Sequence, residues 1–278
     1  MKRKFIPGSE WLYLKIYTGV KTADLVLSDS IMPLVEFLTE KRLIKKWFFI
    51  RYNDPKPHLR LRFELAETGN YDTIILKINT ALEKYMDSGE ISNFLIDTYN
   101  REIERYGEQT INEAEYLFYK NSELIVKEYL DFDDEEKLIV SVFYIDQILG
   151  KLGLSIEEKL KWIEDSNRAF KQEFNADKTL NAQLDKKYRA FKIKYSDFLD
   201  HDEYKYFRDT IISETDSLNE TIKIISKKSD NILLQRFFES IFHMNINRLF
   251  ISNQRVFEMV IYDYMYRYYK SECFKIKA

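Results

Sequence analysis

The chain has 278 residues, of which 45% are hydrophobic and 15% aromatic, and carries a net charge of −3 with a pI near 5.8. That apolar content supports a sizeable core and excludes a disordered chain. The acidic balance excludes non-specific nucleic-acid binding while leaving room for a local basic pocket.

A lone cysteine, Cys273, excludes an internal disulfide framework and a cysteine-based zinc site, fits a reducing cytoplasm, and is read as structural. The basic N-terminus is followed by no apolar run of a secretory signal, and no stretch approaches the ~18–20 apolar residues of a membrane span. A soluble, cytoplasmic protein with no membrane span is expected.

In chain order, WLYLKIYTG (11–19) reads as a strand. Residues 22–44 read as helix, with Pro33 marking a break or a second start. Residues 46–52 and 58–65 read as strands joined around Asn53-Asp54-Pro55 into a hairpin. Residues 71–86 have apolar positions at helical spacing, and 91–100 return to strand. The order β-α-β-β-α-β predicts an α+β fold: a ferredoxin-like antiparallel sheet with helices on one face.

All four prolines precede residue 58 and the last glycine is Gly153, so the second half favours long helices. These are expected near 112–129, 134–150, 155–173, 183–198, 202–226, 230–250 and 254–269. Ser155 with Glu158 forms a plausible capping box. The acidic run 128–137 reads as an interhelical loop with an acidic first turn, since it lacks the spacing of a calcium loop. No repeat, phosphate loop or dinucleotide fingerprint is found. The expected organisation is an α+β sheet region over 1–110 and a helical region over 111–278 packed on it as one integrated domain.

Three polar clusters carry candidate chemistry. In WFFIRYNDPKPHLRLRF (47–63), Leu59, Leu61 and Phe63 alternate with His58, Arg60 and Arg62, and Arg51 stands on the partner strand. This is either a solvated sheet face or a guanidinium clamp for a carboxylate or phosphate. In YNREIERYG (99–107), Glu102 and Arg105 are three apart and Arg101 and Arg105 four apart. That is either a surface ion-pair lattice or a base-and-cation pair at a strand end. In FHMNINRLF (242–250), His243 and Asn247 share a helix face with Arg236 and Glu239. His243 is either a hydrogen-bonded structural residue or a proton carrier. His201, in a charged stretch, reads as solvated. The tail YDYMYRYYK (262–270) reads as rings packed on a bundle or lining a peptide groove.

Taken together, PGSEWLYLKIYTG, WFFIRYNDPKPHLRLRF, YNREIERYG and FHMNINRLF resemble, in order and over nearly the whole chain, the C-terminal, SpaB-type domain of class I lantibiotic dehydratases, also called the thiopeptide-type bacteriocin biosynthesis domain. The resemblance implies a lyase that eliminates glutamate from glutamylated Ser or Thr of a precursor peptide, leaving dehydroalanine or dehydrobutyrine. The motif matches carry catalytic roles to Arg62, Glu102, Arg105 and His243. Arg60, Arg51 and Asn247 would bind substrate.

Arg60 and Arg62 would hold the glutamyl group, and Arg105 would steady the enolate or the leaving carboxylate. His243 would handle a proton, with Glu102 orienting it or acting as an alternative base. Which group takes the α-proton does not follow from the sequence. No metal and no cofactor is expected.

The implied partners are the glutamylated precursor peptide and a separate glutamyl-tRNA-dependent glutamylating protein. No direct nucleic-acid binding is expected, and relatives suggest a homodimer or a complex with the partner enzyme. Two departures stand out. Glu108 replaces a second glycine common after the RYG of the family motif, which could alter the local turn. The large glutamylating domain is missing, so a stand-alone elimination subunit is expected. A thiopeptide-type pyridine synthase, performing a formal four-plus-two cycloaddition, and a non-catalytic peptide-binding subunit are the alternatives.

Overall fold

The computed structural model describes residues 2–277, the side chains of Asn231, Ile232 and Lys277 excepted. Two compact units emerge: Met1–Asp131 with Asn247–Ser252, and Phe132–Ile246 with Asn253–Ala278.

The first unit contains β1 (Lys4–Phe5), β2 (Trp11–Thr18), α1 (Thr22–Val26), α2 (Met32–Glu40), β3 (Ile44–Tyr52), β4 (His58–Leu65), α3 (Tyr71–Asp87), β5 (Ile91–Asp97), β6 (Tyr99–Asn100), α4 (Ile103–Tyr106) and α5 (Ile111–Glu128). The main sheet has the order β3-β4-β2-β5, antiparallel throughout. With β2 and β4 central, this is the expected ferredoxin-like arrangement. One face is apolar: Leu12, Leu14, Ile16, Trp47, Phe49, Leu59, Leu61 and Phe63 are all fully buried. Each such side chain contributes about 1.5–3 kcal/mol of transfer free energy.

Several boundaries differ from the sequence reading, for local reasons. Pro33 lies in the first turn of α2, directly after a π-type turn at Leu27–Ile31 that joins α1 to α2 without a break in helical backbone. The helix stops at Glu40, short of the expected residue 44. Arg42 adopts φ 54° and Leu43 N–H reaches back to Leu38 O at 2.8 Å, a Schellman-type stop. The expected strand 91–100 is divided, and its end, β6, pairs with β1 in a separate ribbon. Helix α5 belongs with the sheet unit, where the sequence reading drew a line at residue 110.

The second unit contains α6 (Asp134–Lys151), α7 (Ile156–Glu173), α8 (Lys178–Asp200), α9 (Lys205–Ser217), α10 (Asn219–Lys228), α11 (Asn231–Leu249, as far as Ile246) and α12 (Gln254–Lys277). Capping boxes start two helices, Ser155 with Glu158 as expected and Asp133 with Glu136 inside the acidic run. Helix α8 begins earlier than expected because Asp177 caps Leu180 N–H at 2.7 Å. The expected helix 202–226 divides at Leu218, after Thr215 and Ser217 hydroxyls bond back to carbonyls of the last turns. Tyr262, Tyr264 and Tyr269 of the tail are buried in this unit, with Tyr264 4.6 Å from Phe191 between ring centroids. Among the described residues no helix is long and apolar enough to cross a membrane.

Candidate active site

Period-two alternation sends Leu59, Leu61 and Phe63 of β4 to the core and His58, Arg60 and Arg62 to the opposite face. The register then decides the surroundings of each cation. Arg62 pairs with Tyr13 on one side and Phe48 on the other. Its guanidinium carbon lies 4.5 Å from the Tyr13 ring centroid, 5.0 Å from Tyr99 and 5.3 Å from Phe48. Three rings attract the cation without neutralising it. Arg62 is only 8% exposed, and its Nε and Nη1 are buried without a hydrogen-bond partner. A buried donor lacking an acceptor costs about 1–3 kcal/mol. A carboxylate that reaches this group would gain paired, charge-assisted hydrogen bonds.

Arg60 is arranged differently. Its guanidinium stacks on Tyr52 at 3.4 Å, and its Nε donates to His58 Nε2 at 3.1 Å. Since Nε2 accepts, Nδ1 carries the proton and donates to Lys56 O at 2.9 Å. Burial pushes the His58 pKa below its ordinary value of 6.5; the Lys56 carbonyl opposes this, and the Arg60 and Lys15 charges add to it. The neutral ring is therefore favoured by folding. Its contribution is full above pH 6.5 and is lost as the pH falls below that value towards the folded pKa. Between about pH 7.5 and about pH 5.5, near the ordinary histidine range, the melting temperature of the wild type should fall more steeply than that of His58→Gln. Equal slopes would show that His58 carries none of the dependence.

The hydroxyl of Tyr99 reaches a fully buried carboxylate, Glu115 of α5. This carboxylate accepts Nε and Nη2 of Arg101, both at 2.7 Å, the Tyr99 hydroxyl at 2.9 Å and Lys46 Nζ at 3.3 Å. Burial and the Glu115 charge raise the Tyr99 phenol well above its ordinary pKa, so it remains a donor. Tyr99 thus touches Glu115 through its hydroxyl and Arg62 through its ring.

Arg101 opens the segment that carries Glu102 and Arg105. These two form an ion pair at 3.4 Å with side chains 58% and 47% exposed, a geometry that adds at most about 1 kcal/mol to stability. Their exposure leaves both charges accessible to a substrate. Gly107 closes α4 at φ 75°, while Glu108 does not take a positive φ. One glycine therefore suffices for this turn, which answers the departure at Glu108. A Cβ on Gly107 would meet Thr110 Oγ1 at 2.8 Å. Gly107→Ala should destabilise the fold by about 1–3 kcal/mol, and Glu108→Gly by less than about 1 kcal/mol, both readable in urea titration. Equal effects would remove the special role of Gly107.

Arg51 and Asn247 lie at the free edge of β3. The Asn247 amide accepts Arg51 N–H and donates to Arg51 O, both at 2.9 Å, as a neighbouring strand would. Arg51 itself is buried, with Nε donating to Arg248 O at 2.9 Å and Nη2 2.5 Å from Asp24 Oδ1. Arg248 Nε donates to Phe49 O at 2.8 Å and Nη1 to Asn121 Oδ1 at 3.0 Å. Side chains thereby occupy an edge that would otherwise present unpaired backbone.

In the second unit, His243 lies on α11 with its side chain 30% exposed. Its Nδ1 is 2.9 Å from Glu258 Oε2 on α12. Glu258, 4% exposed, also accepts Arg255 Nη1 at 2.9 Å, and Arg255 pairs with Glu173 of α7. No group of three or more His, Cys, Asp or Glu among the described residues could hold a metal ion.

The lantibiotic biosynthesis dehydratase C-terminal family matches residues 11–269. The chain belongs to this family. The subtilin biosynthesis protein SpaB of Bacillus subtilis is 28% identical over 186 residues, 64% of this chain and 18% of that protein. The nisin biosynthesis protein NisB of Lactococcus lactis subsp. lactis is 34% identical over 125 residues, 45% of this chain and 12% of that protein. The chain thus matches less than a fifth of the length of either relative. Among solved structures, the tRNA-dependent lantibiotic dehydratase MibB of Microbispora sp. 107891 superposes with a TM-score of 0.66 at 18% identity, covering 98% of this chain and 29% of that one. TsrL gives 0.68 at 13% identity, covering 95% of each chain. The pyridine synthase TbtD of thiomuracin biosynthesis gives 0.60 at 9% identity, covering 94% of this chain and 99% of that one. At these identities the structures establish a shared fold.

Within this lantibiotic dehydratase C-terminal chain, sequence reasoning missed Tyr13, Tyr99, Glu115 and Glu258. Glu115 left a trace: it falls in the stripe Ile111, Glu115, Phe118, Ser122, Ile125, a lone charge on the buried side of a helix. Tyr13 needed the strand register. Glu258 follows His243 by 15 residues across a helix-to-helix turn, a separation with no local signature.

Proposed function

We propose that the chain eliminates glutamate from glutamylated Ser and Thr of a ribosomally made precursor peptide, leaving dehydroalanine or dehydrobutyrine. The observation that carries this reading is Arg62, a buried cation ringed by aromatics with two donors lacking acceptors, in a member of the dehydratase C-terminal family. In the reaction the α-proton leaves, its electron pair forms the Cα=Cβ bond, and the Cβ–O bond breaks with its pair on the departing glutamate carboxylate. The charge that develops is an enolate and then a carboxylate, which guanidinium groups stabilise.

Arg62 and Arg60 hold the glutamyl group, and Arg105 steadies the developing negative charge. His243 exchanges the proton, and Glu102 holds Arg105 in reach or acts as an alternative base. Arg51 and Asn247, in this reading, maintain the edge of β3 rather than bind substrate, since both are occupied there.

The ester is supplied by a separate glutamyl-tRNA-dependent glutamylating protein in the cytoplasm, with which the chain or its homodimer associates without binding nucleic acid itself. The pyridine-synthase reading is favoured only by the shared fold with TbtD. The test is incubation of the purified chain with a chemically glutamylated precursor peptide, followed by mass spectrometry. Release of glutamic acid with a dehydroamino acid formed is the expected result. No release from the cognate ester, together with leader loss from a fully dehydrated peptide, would replace elimination by cyclisation; binding without either reaction would make the chain a scaffold.

A further inference from the structure

In neutral histidine, one ring nitrogen carries the proton and the other is bare, and the partner of the first selects which. His243 Nδ1 faces Glu258 Oε2 at 2.9 Å. Arg255 Nη1 donates to that same oxygen at 2.9 Å, and Arg255 is itself paired with Glu173. The side chains therefore form an alternating series: Glu173 negative, Arg255 positive, Glu258 negative, then the imidazole. Glu258 Oε2, which faces the ring, already accepts from the Arg255 guanidinium, and a carboxylate oxygen has no proton to donate to the ring. Nδ1 must then carry the hydrogen, and Nε2 is left bare. Arg255 is fixed in turn by the Phe170 ring, 4.4 Å from its guanidinium carbon.

We infer that Glu258 is a positioning residue for His243, holding the imidazole in the Nδ1–H tautomer so that Nε2 is the atom that exchanges the substrate proton. The inference rests on the elimination reading for its catalytic part only. When Nε2 accepts the α-proton, the electron pair of the C–H bond forms the alkene and the glutamate carboxylate departs. The imidazolium that results has its Nδ1–H against Glu258, which stabilises the charge as it forms. The proton is later lost from Nε2 to water. Glu258 touches neither substrate nor the moving proton.

The experiment has two readouts on the full chain. Long-range 15N–1H correlation of 15N-histidine-labelled protein, at about pH 8 where ordinary histidine is neutral, reports the tautomer of each ring. The chain has three histidines, and His243→Ala identifies the relevant signal by its loss. Wild type is expected to show Nδ1–H at His243. Glu258→Ala should convert it to the Nε2–H form and lower kcat about 100-fold or more, with KM within about threefold.

Glu258→Gln keeps the shape of the side chain and guards against misfolding. Its amide can either accept or donate, so a mixture of tautomers and an intermediate kcat are expected. An Nε2–H signal in wild type overturns the inference. So does an unchanged tautomer in folded Glu258→Ala, or a changed tautomer with kcat within about twofold of wild type. If the wild type releases no glutamate at all, the function reading fails, while the tautomer pattern still decides whether Glu258 orients His243.

Discussion

Replacing Arg62 with alanine is expected to lower the rate of glutamate release about 10²–10³-fold in a protein that remains folded. The physical reason lies in what Arg62 does without substrate. It donates no hydrogen bond from Nε or Nη1, so its removal breaks no polar network in the resting protein. What is lost is the contact with Tyr13, Tyr99 and Phe48, worth about 0.5–2 kcal/mol for such a cation. Relief of the buried, unpaired donors partly offsets that loss. Stability should therefore change little while activity falls. Arg62→Lys is the sharper variant. Lysine keeps the charge but cannot present two parallel donors, so recovery of less than about a tenth of the activity is expected. Wild-type turnover in either variant would remove Arg62 from the site.

Glu115→Ala should have the opposite signature, a loss of about 3–5 kcal/mol in folding stability, readable as a large shift in the urea midpoint. The carboxylate is fully buried and satisfies Arg101, Tyr99 and Lys46 together. Its deletion would strand the Arg101 guanidinium and a phenol in the interior, while Lys46 keeps Glu64 at 3.2 Å. Glu115→Gln, which keeps one acceptor oxygen, should lose less. At temperatures where Glu115→Gln remains folded, its activity should still fall, because one amide oxygen must then serve both Arg101 and the Tyr99 whose ring lies against Arg62. A Glu115→Ala protein within about 1 kcal/mol of wild type would show that the network is not needed to hold the fold.

The parts of the fold that obey a period were legible. Alternation in residues 58–65 gave strand β4 and its two faces, and helical spacing gave α3 and α5 to α7 closely. Elements made by a single event were not. The β1–β6 ribbon has two residues on each strand, too few to show a pattern. The stop after Glu40 depends on Arg42 adopting a left-handed conformation that its side chain does not advertise. For the candidate site the same division holds. Arg60 and Arg62 announce themselves by alternation. The difference between them, one stacked against Tyr52 and bonded to His58 and the other caged by three rings, is set by strand register and by Tyr99 arriving from β6. Arg51 reads in sequence as one more cation of the cluster. Only its bonds to Asp24 and Arg248 give it an architectural role.

The hexapeptide Asn247–Ser252, which completes the edge of β3, has a consequence for the order in which the protein is made. Arg51 and Asn247 are separated by 196 positions in the chain. A nascent chain leaving the ribosome can form the β3–β4 hairpin as soon as residue 65 has emerged, but the outer side of β3 must wait for Asn247 and Arg248. Throughout that interval the Phe49 carbonyl and both backbone groups of Arg51 lack their eventual partners. During translation this strand is therefore open to pairing with another chain, and loss of Asn247 and the residues after it would make that transient exposure permanent.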